Sequence, residues 1–192
     1  MLGVVLAAGE SKRMPNKALL PIEGGRPAIT SAIDFLHRHG LPVMVVVSPD
    51  SAIPLVLDAM YPRLRYVVQQ AACGPLHAMR LVPRESRMVF TFCDNIYTGQ
   101  LDTRSPIATV RDSDNPELDR YYKGWVPRGS CGVAFAGYIV CDPHHLDVPG
   151  DTLLEWLNAI KAEPVRKDDE WHDLGTLSSY KEYWNAIVCK VR

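Results

Sequence analysis

Several residues in this 192-residue chain have the types and spacing for chemistry on phosphate. Leu6-Ala7-Ala8-Gly9 is followed on the same loop by Arg13 and Lys17. Side chains as small as Ala7, Ala8 and Gly9 let backbone N–H groups approach phosphate oxygens. Arg13 and Lys17 add two cations, and charge-assisted bonds to phosphate are about twice as strong as neutral ones. Asp94 ends an apolar run, where a carboxylate oxygen suits a hard cation such as Mg²⁺. Gln69 precedes Gly74 and carries an amide that can both donate and accept hydrogen bonds. A further carboxylate, Asp173, stands in Trp171-His172-Asp173-Leu174-Gly175-Thr176.

Each of these has a plainer reading on its own. A glycine after a strand is commonly a turn, and a lone Arg or Lys is commonly a solvated charge. Asp94-Asn95 and Asp173-Leu-Gly-Thr read equally as turns, and Gln69 as a surface amide. Neither GxGxxG nor GxxxxGK[ST] occurs, so the dinucleotide fingerprint and the P-loop are excluded.

The positioning elements alternate strand and helix. The continuous apolar run Leu2–Ala8 reads as a strand covered on both faces and Pro42–Ser48 as a second buried strand, with further strands at Leu64–Val68 and Arg87–Cys93. Helical spacing runs from Pro27 to His39, closed by Gly40, and shorter helices are expected over Ser51–Met60 and Gly74–Leu81. Strands joined by helices imply right-handed crossovers and a mostly parallel sheet. Ligands of such sheets bind at the carboxyl ends of the strands, where the glycine loop and Asp94 both fall. After Asn95 the rhythm loosens. Strands are expected at Pro106–Val110, Tyr121–Val126 and Gly132–Val140, with a polar turn over Asp112–Pro116. Helices close the chain at Asp151–Ala162, capped by Asp151 or Thr152, and at Thr176–Val188.

Composition narrows the class. Hydrophobic residues make up 47%, charged residues 22%, and the net charge is −1; these values exclude whole-chain disorder and give no electrostatic footprint for nucleic acid. Five cysteines without a CxxC pair read as reduced, mostly core thiols of a cytoplasmic protein. No apolar run reaches the ~20 residues of a membrane helix. His144-His145 lacks a metal-ligand spacing with the cysteines. The length suits a single domain over residues 1–192.

The stretch LAAGESKRM-PN-KALLPI resembles the signature loop of the sugar-1-phosphate nucleotidyltransferases, LAAGxGxRM, a short spacer, then KxLxP. Ser11 stands where that family commonly has Gly, and the short spacer resembles molybdopterin nucleotidyltransferases and other small cytidylyltransferases. Phe92-Cys93-Asp94-Asn95 resembles the strand ending in G-D-N, and Trp171–Thr176 resembles W-x-D-x-G-T. Gln69-x(4)-Gly74-x-x-x-Ala78 resembles the family's base-binding segment, with Pro75 in place of a frequent Thr. The resemblance implies a Rossmann-like α/β three-layer sandwich with a central, mostly parallel mixed sheet. It also implies transfer of a nucleotidyl group from an NTP, pyrimidine favoured, to a sugar 1-phosphate.

The same resemblance distributes roles. Leu6, Ala7, Ala8, Gly9, Gln69 and Gly74 would bind the nucleotide, and Asp94 and Asp173 would share one Mg²⁺. Lys17 would hold the transferred phosphoryl group and Arg13 the leaving pyrophosphate. Lys123, in Tyr122-Lys123-Gly124 where the family often has E-K-P, and Gly137, in Phe135-Ala136-Gly137-Tyr138, would face the sugar phosphate. Two other functions fit the same residues. One is a cytidylyltransferase for phosphocholine, a polyol phosphate or molybdopterin. The other is a regulatory protein that binds nucleotide sugars without catalysis.

Overall fold

The computed structural model describes residues 1–10, 14–113, 132–167 and 171–190. Strand β1, Leu2–Ala7, lies between β2, Val43–Val47, and β4, Met88–Phe92, parallel to both. β3, Arg65–Val68, continues the parallel set at the edge beyond β2. On the other side of β4 runs β7, Gly132–Cys141, antiparallel. It pairs with β6, Ile107–Ser113, which in turn pairs in parallel with β8, Glu163–Arg166. The order of the seven strands is β3-β2-β1-β4-β7-β6-β8.

The continuous apolar runs have a simple cause, because the sheet is covered on both faces. Val4 and Leu6 of β1 and Met44 and Val46 of β2 pack with Leu76 and Met79 of α3, Pro75–Arg80, and with Trp156 and Leu157 of α4, Leu153–Ala159. Val5, Val43, Val45 and Val47 face the opposite layer, α1, Ile29–Arg38, and α2, Ile53–Leu57. The result is a three-layer α/β sandwich. At Gly3 an added Cβ would meet the Leu36 side chain at 2.9 Å, so α1 seats closely on β1 only because the residue is Gly.

A two-stranded antiparallel ribbon stands apart from this sheet. It is made of β5, Asn95–Tyr97, and β9, Trp171–Asp173. Helix α5, Leu177–Lys190, follows β9, and its Tyr180 and Tyr183 pack on a small cluster of Ile22, Ala28, Ile96 and Leu174.

Several elements differ from the sequence expectation. β5, β8 and β9 were not foreseen: each has only three or four residues, too few for a periodic signal. Of the polar turn expected over Asp112–Pro116, Asp112 and Ser113 instead end β6, paired with Val133 and Gly132, because cross-strand pairing overrides the local preference for a turn, and the rest lies outside the described residues. The helix expected over Ser51–Met60 forms only at Ile53–Leu57. That over Asp151–Ala162 forms at Leu153–Ala159, where Thr152 and Glu155 make a reciprocal cap and Lys161, at φ 53°, ends the turn. The strand expected at Tyr121–Val126 lies outside the described residues. Cys93 and Cys141 are buried, but Cys73 and Cys189 are exposed rather than core; Cys131 lies outside the described residues. Among the described residues, no helix is long and apolar enough to cross a membrane.

Candidate functional site

The carboxyl ends of the parallel strands open into a cleft of about 910 Å³. Leu6, Ala7, Ala8 and Gly9 form one wall, and Gln69 and Gly74 form another, with Lys17 and Asp94 between them. A Cβ built on Gly9 would meet nothing within 4 Å, so the loop backbone faces open space. Gly74 takes φ +84° and caps α3, a left-handed conformation that favours glycine. Arg13 and Lys123 lie outside the described residues.

Lys17 begins a single 3-10 turn, Lys17–Leu19. The turn is entered through Asn16 at φ 54°, a conformation Asn tolerates, and anchored by buried Ala18. Its ammonium is paired with the Asp94 Oδ2 carboxylate oxygen. Asp94 sits in the turn after β4 and is 7% exposed. Burial opposes the lysine charge, but the Asp94 carboxylate, assisted by Asp173, outweighs it and raises the Lys17 pKa above its ordinary value. Lys17 is therefore a fixed cation at neutral pH. The thiol beside it, Cys93, is pushed well up by burial and by Asp94, so it stays protonated.

Asp173 reaches the same place from the ribbon. Asn95, directly after Asp94, is register partner to Asp173, and Leu174 N–H donates to the Asp94 carbonyl at 2.7 Å. A Cβ built on Gly175 would lie 2.8 Å from Asp173 Oδ1 and 3.2 Å from Asp94 Oδ2. The two carboxylates thus converge on one point, which only a glycine at 175 leaves unfilled. Gly175 N–H also donates to Asp173 Oδ1 at 2.7 Å. Among the described residues no cluster of three or more His, Cys, Asp or Glu forms a metal site. Two converging carboxylates nevertheless fit Mg²⁺, which takes one or two from the protein and its other ligands from water and substrate phosphate. Lys17 occupies one of these oxygens, so the repulsion expected between two unpaired carboxylates is offset by a resident ammonium.

Gln69 is a buried wall residue rather than a solvated amide, at 4% exposure. Its Nε2 lies 3.2 Å from the Gly74 carbonyl and 3.0 Å from His77 Nδ1. A carbonyl can only accept, so the amide nitrogen faces Gly74 and donates to it. The same nitrogen donates to His77 Nδ1, which fixes that ring nitrogen as the acceptor.

Gly137 departs from its expected role. It is buried in β7 at φ +86°, its carbonyl accepts from the Tyr97 hydroxyl at 2.8 Å, and it is not among the described residues lining the cleft. Its freedom at positive φ serves an irregular strand, where the register of β6 against β7 shifts between Ala108 and Val110. Sequence reasoning missed His77 and the Ser48–Ser51 loop, which also lines the cleft. The rule that sites gather at strand carboxyl ends pointed to Ser48, which follows β2; no local signal marked His77.

Residues 3–115 match the model of the family described as MobA-like NTP transferase domain. No curated protein sequence matches the chain. Among solved structures it is similar to one from Bacillus anthracis, provisionally assigned as a glucose-1-phosphate thymidylyltransferase and complexed with sucrose, at TM-score 0.76 and 20% identity over 97% of this chain and 94% of that one. It is similar to the inositol-1-phosphate CTP transferase of T. maritima at TM-score 0.73 and 14% identity, covering 95% and 93%. The third is 4-diphosphocytidyl-2C-methyl-D-erythritol synthase of Anaerococcus prevotii, at TM-score 0.65 and 14% identity, covering 96% of each chain. At these identities the likeness is one of fold.

Proposed function

We propose, for a chain that belongs to the family of MobA-like NTP transferase domains and is a nucleotidyltransferase, that it transfers a nucleoside monophosphate from a pyrimidine NTP to a sugar 1-phosphate. The observation that carries this reading is the meeting of Lys17, Asp94 and Asp173 beside a cleft walled by the glycine loop. We assign the activity to one domain over residues 1–192, working in the cytoplasm, where thiols such as Cys93 stay reduced.

An oxygen of the acceptor phosphate attacks the α-phosphorus of the NTP. As that bond forms, the bond from the α-phosphorus to the bridging oxygen breaks, and pyrophosphate leaves with the electron pair. The acceptor phosphate is already ionised, so no side chain has to remove a proton. Asp94 and Asp173 would hold Mg²⁺, which supplies neutralisation of charge on the phosphate oxygens. Lys17, charged and already held beside Asp94, binds an oxygen of the transferred phosphoryl group with little reorganisation. Arg13 grips the leaving pyrophosphate, and Lys123 is assigned to the acceptor phosphate. The reaction then runs on in-line positioning and fixed charge.

Gln69 is assigned to the base. Its amide protons are taken by Gly74 and His77, which leaves Oε1 to accept from an N–H on the base edge. Uracil and thymine offer such a donor at the ring nitrogen, and cytosine offers one at its amino group.

A second reading, cytidylyl transfer to a polyol phosphate, is favoured by the likeness to the inositol-1-phosphate and methylerythritol enzymes. A panel of NTPs against sugar 1-phosphates and polyol phosphates, followed by pyrophosphate release, separates the two. Turnover of UTP, dTTP or CTP with a sugar 1-phosphate is the expected result. Turnover with polyol phosphates alone selects the second reading, and a purine preference removes the assignment of Gln69. Nucleotide-sugar binding without any pyrophosphate release would make the protein a sensor.

A further inference from the structure

We propose that Tyr97 is a positioning residue for the Asp94–Asp173 pair: its buried hydroxyl locks the ribbon, which carries Asp173 and begins directly after Asp94, to the main sheet and sets how tightly a divalent cation is held. The inference rests on the reading of those two aspartates as cation ligands.

Tyr97 ends β5 and is 5% exposed. Its hydroxyl has one proton, and the Gly137 carbonyl, 2.8 Å away, can only accept it. The oxygen is then free to accept, and Phe92 N–H donates to it at 3.0 Å. Phe92 is the last residue of β4, just before Cys93 and Asp94. One buried hydroxyl therefore joins the end of β4 to β7, and the backbone of the same residue fixes the ribbon. Tyr97 N–H donates to Ser31 Oγ at 2.9 Å, and the Arg38 guanidinium donates to the Tyr97 carbonyl at 3.2 Å. Its ring stacks on Phe35 with centroids 4.9 Å apart.

Across the ribbon, Tyr97 is register partner to Trp171, and Asn95 to Asp173. Asp94 precedes the first residue of β5, and Asp173 lies opposite that residue. Any shift of β5 therefore changes the separation of the two carboxylates. Mg²⁺ tolerates little departure from octahedral geometry, so a ligand pair with one member on a three-residue strand and the other in the turn before its partner strand needs such a lock. A phenylalanine would fill the same space against Phe35; the hydroxyl adds the tie from β5 to the end of β4 and to β7, two strands that already pair with each other. This also explains a glycine in the middle of β7: the positive φ at Gly137 accompanies a carbonyl that bonds to the ribbon.

The test compares wild type, Tyr97→Phe and Phe35→Leu in two readouts: Mn²⁺ binding followed by electron paramagnetic resonance, and the Mg²⁺ midpoint for pyrophosphate release. In Tyr97→Phe both midpoints should rise about tenfold, as expected when a group supporting a metal ligand is lost. At saturating Mg²⁺ its kcat and its KM for NTP should stay near wild type. Phe35→Leu should lower thermal stability without moving either midpoint. Unmoved midpoints in Tyr97→Phe, or an equal rise in Phe35→Leu, overturn the proposal. If Tyr97→Phe does not fold, Ser31→Ala, which loosens the same strand and keeps the hydroxyl, should raise both midpoints by a smaller factor; no rise there overturns it as well. Wild-type turnover that needs no divalent cation would remove the aspartate reading and this inference with it. Cation-dependent wild type with an unmoved Tyr97→Phe removes the inference alone.

Discussion

Asp94 and Asp173 meet at one point but come from regions built on different plans. Asp94 follows β4 of a sheet whose strands are covered on both faces, with Val4, Val5, Val89 and Phe90 fully buried. Asp173 sits on a three-residue strand beside a small apolar cluster of Ile22, Ala28, Ile96 and Leu174, with two tyrosines of α5. Those tyrosines also bind the loop after Lys17: Tyr180 donates to the Pro21 carbonyl at 2.7 Å, and Glu23 N–H donates to Tyr183 Oη at 3.2 Å. One carboxylate is thus held by the core and the other by a light ribbon. The comparison implies that loss of either should stop the chemistry, while loss of Asp94 should disturb the folded state more than loss of Asp173.

The largest expected effect tests that directly. Asp94→Ala and Asp173→Ala should each lower kcat by at least about 10²–10³-fold, and the double variant little further, because ligands of one ion act as a unit. Chelation should abolish wild-type turnover, and Mg²⁺ should restore it. Thermal melting should separate the two variants. Asp94→Ala leaves the half-buried Lys17 ammonium without its partner and should melt well below wild type, whereas Asp173→Ala, which gives up the hydrogen bond from Gly175 N–H, should melt less far below it. Additive kinetic losses would give the carboxylates separate roles, and equal melting losses would erase the contrast between regions.

Next in size is Lys17→Ala, which should cost about 10²–10³ in kcat, as for one transition-state donor. Lys17→Arg should recover only part, since a planar fork replaces a point charge. A variant with wild-type turnover would take Lys17 out of the mechanism and leave it as a counter-ion for Asp94.

The two regions also differed in what their sequence disclosed. β1, β2 and β4 could be read residue by residue, because a strand buried on both faces leaves an unbroken apolar run. The glycine loop then followed from the rule that ligands gather at strand carboxyl ends, which also placed Asp94, whereas Gln69 was visible only through a family pattern. β5 and β9 had no such signature. Asp173 was visible only through the pattern around it, and on its own Asp173-Leu-Gly-Thr read as a turn. The Lys17–Asp94 pair joins positions far apart in sequence, and no local spacing encodes it. The burial of Gly137 and the Tyr97 lock depend on a register shift that only the paired strands reveal.

A smaller effect is expected at the base. Gln69→Leu keeps the volume of the wall and removes Oε1, so discrimination among NTPs should fall by about tenfold, in line with loss of one base-edge contact. Turnover with the best NTP should fall less. The comparison of kcat/KM across the NTP panel is the measurement. A uniform loss for all bases would mean that Gln69 shapes the cleft without reading the base.

The smallest effect belongs at the far end of the same strand. Arg87 precedes β4 as Asp94 follows it, and its Nε donates to Asp142 Oδ1 at 2.8 Å. Asp142 also caps the 3-10 turn Pro143–Asp147. The hydrogen bond from the Arg87 guanidinium holds the Asp142 carboxyl below its ordinary value of 3.8, against the opposing effect of burial. A depressed acid stabilises the fold above its unfolded pKa, and that contribution fades as pH falls through the folded value. The pair is largely solvent-screened, so it contributes about 0.2–1 kcal/mol, or up to ~4 °C in a domain of this size. Asp142→Asn should therefore melt slightly below wild type at neutral pH, and the gap should close in strong acid, where the wild-type carboxyl is also neutral. Its kcat should be unchanged, because the pair lies across the sheet from the cleft. A gap that persists in acid would assign the stabilisation to the cap, which Asn shares only in part. A change in kcat would show that β4 transmits strain along its length, and that the core-held carboxylate is less isolated than the ribbon-held one.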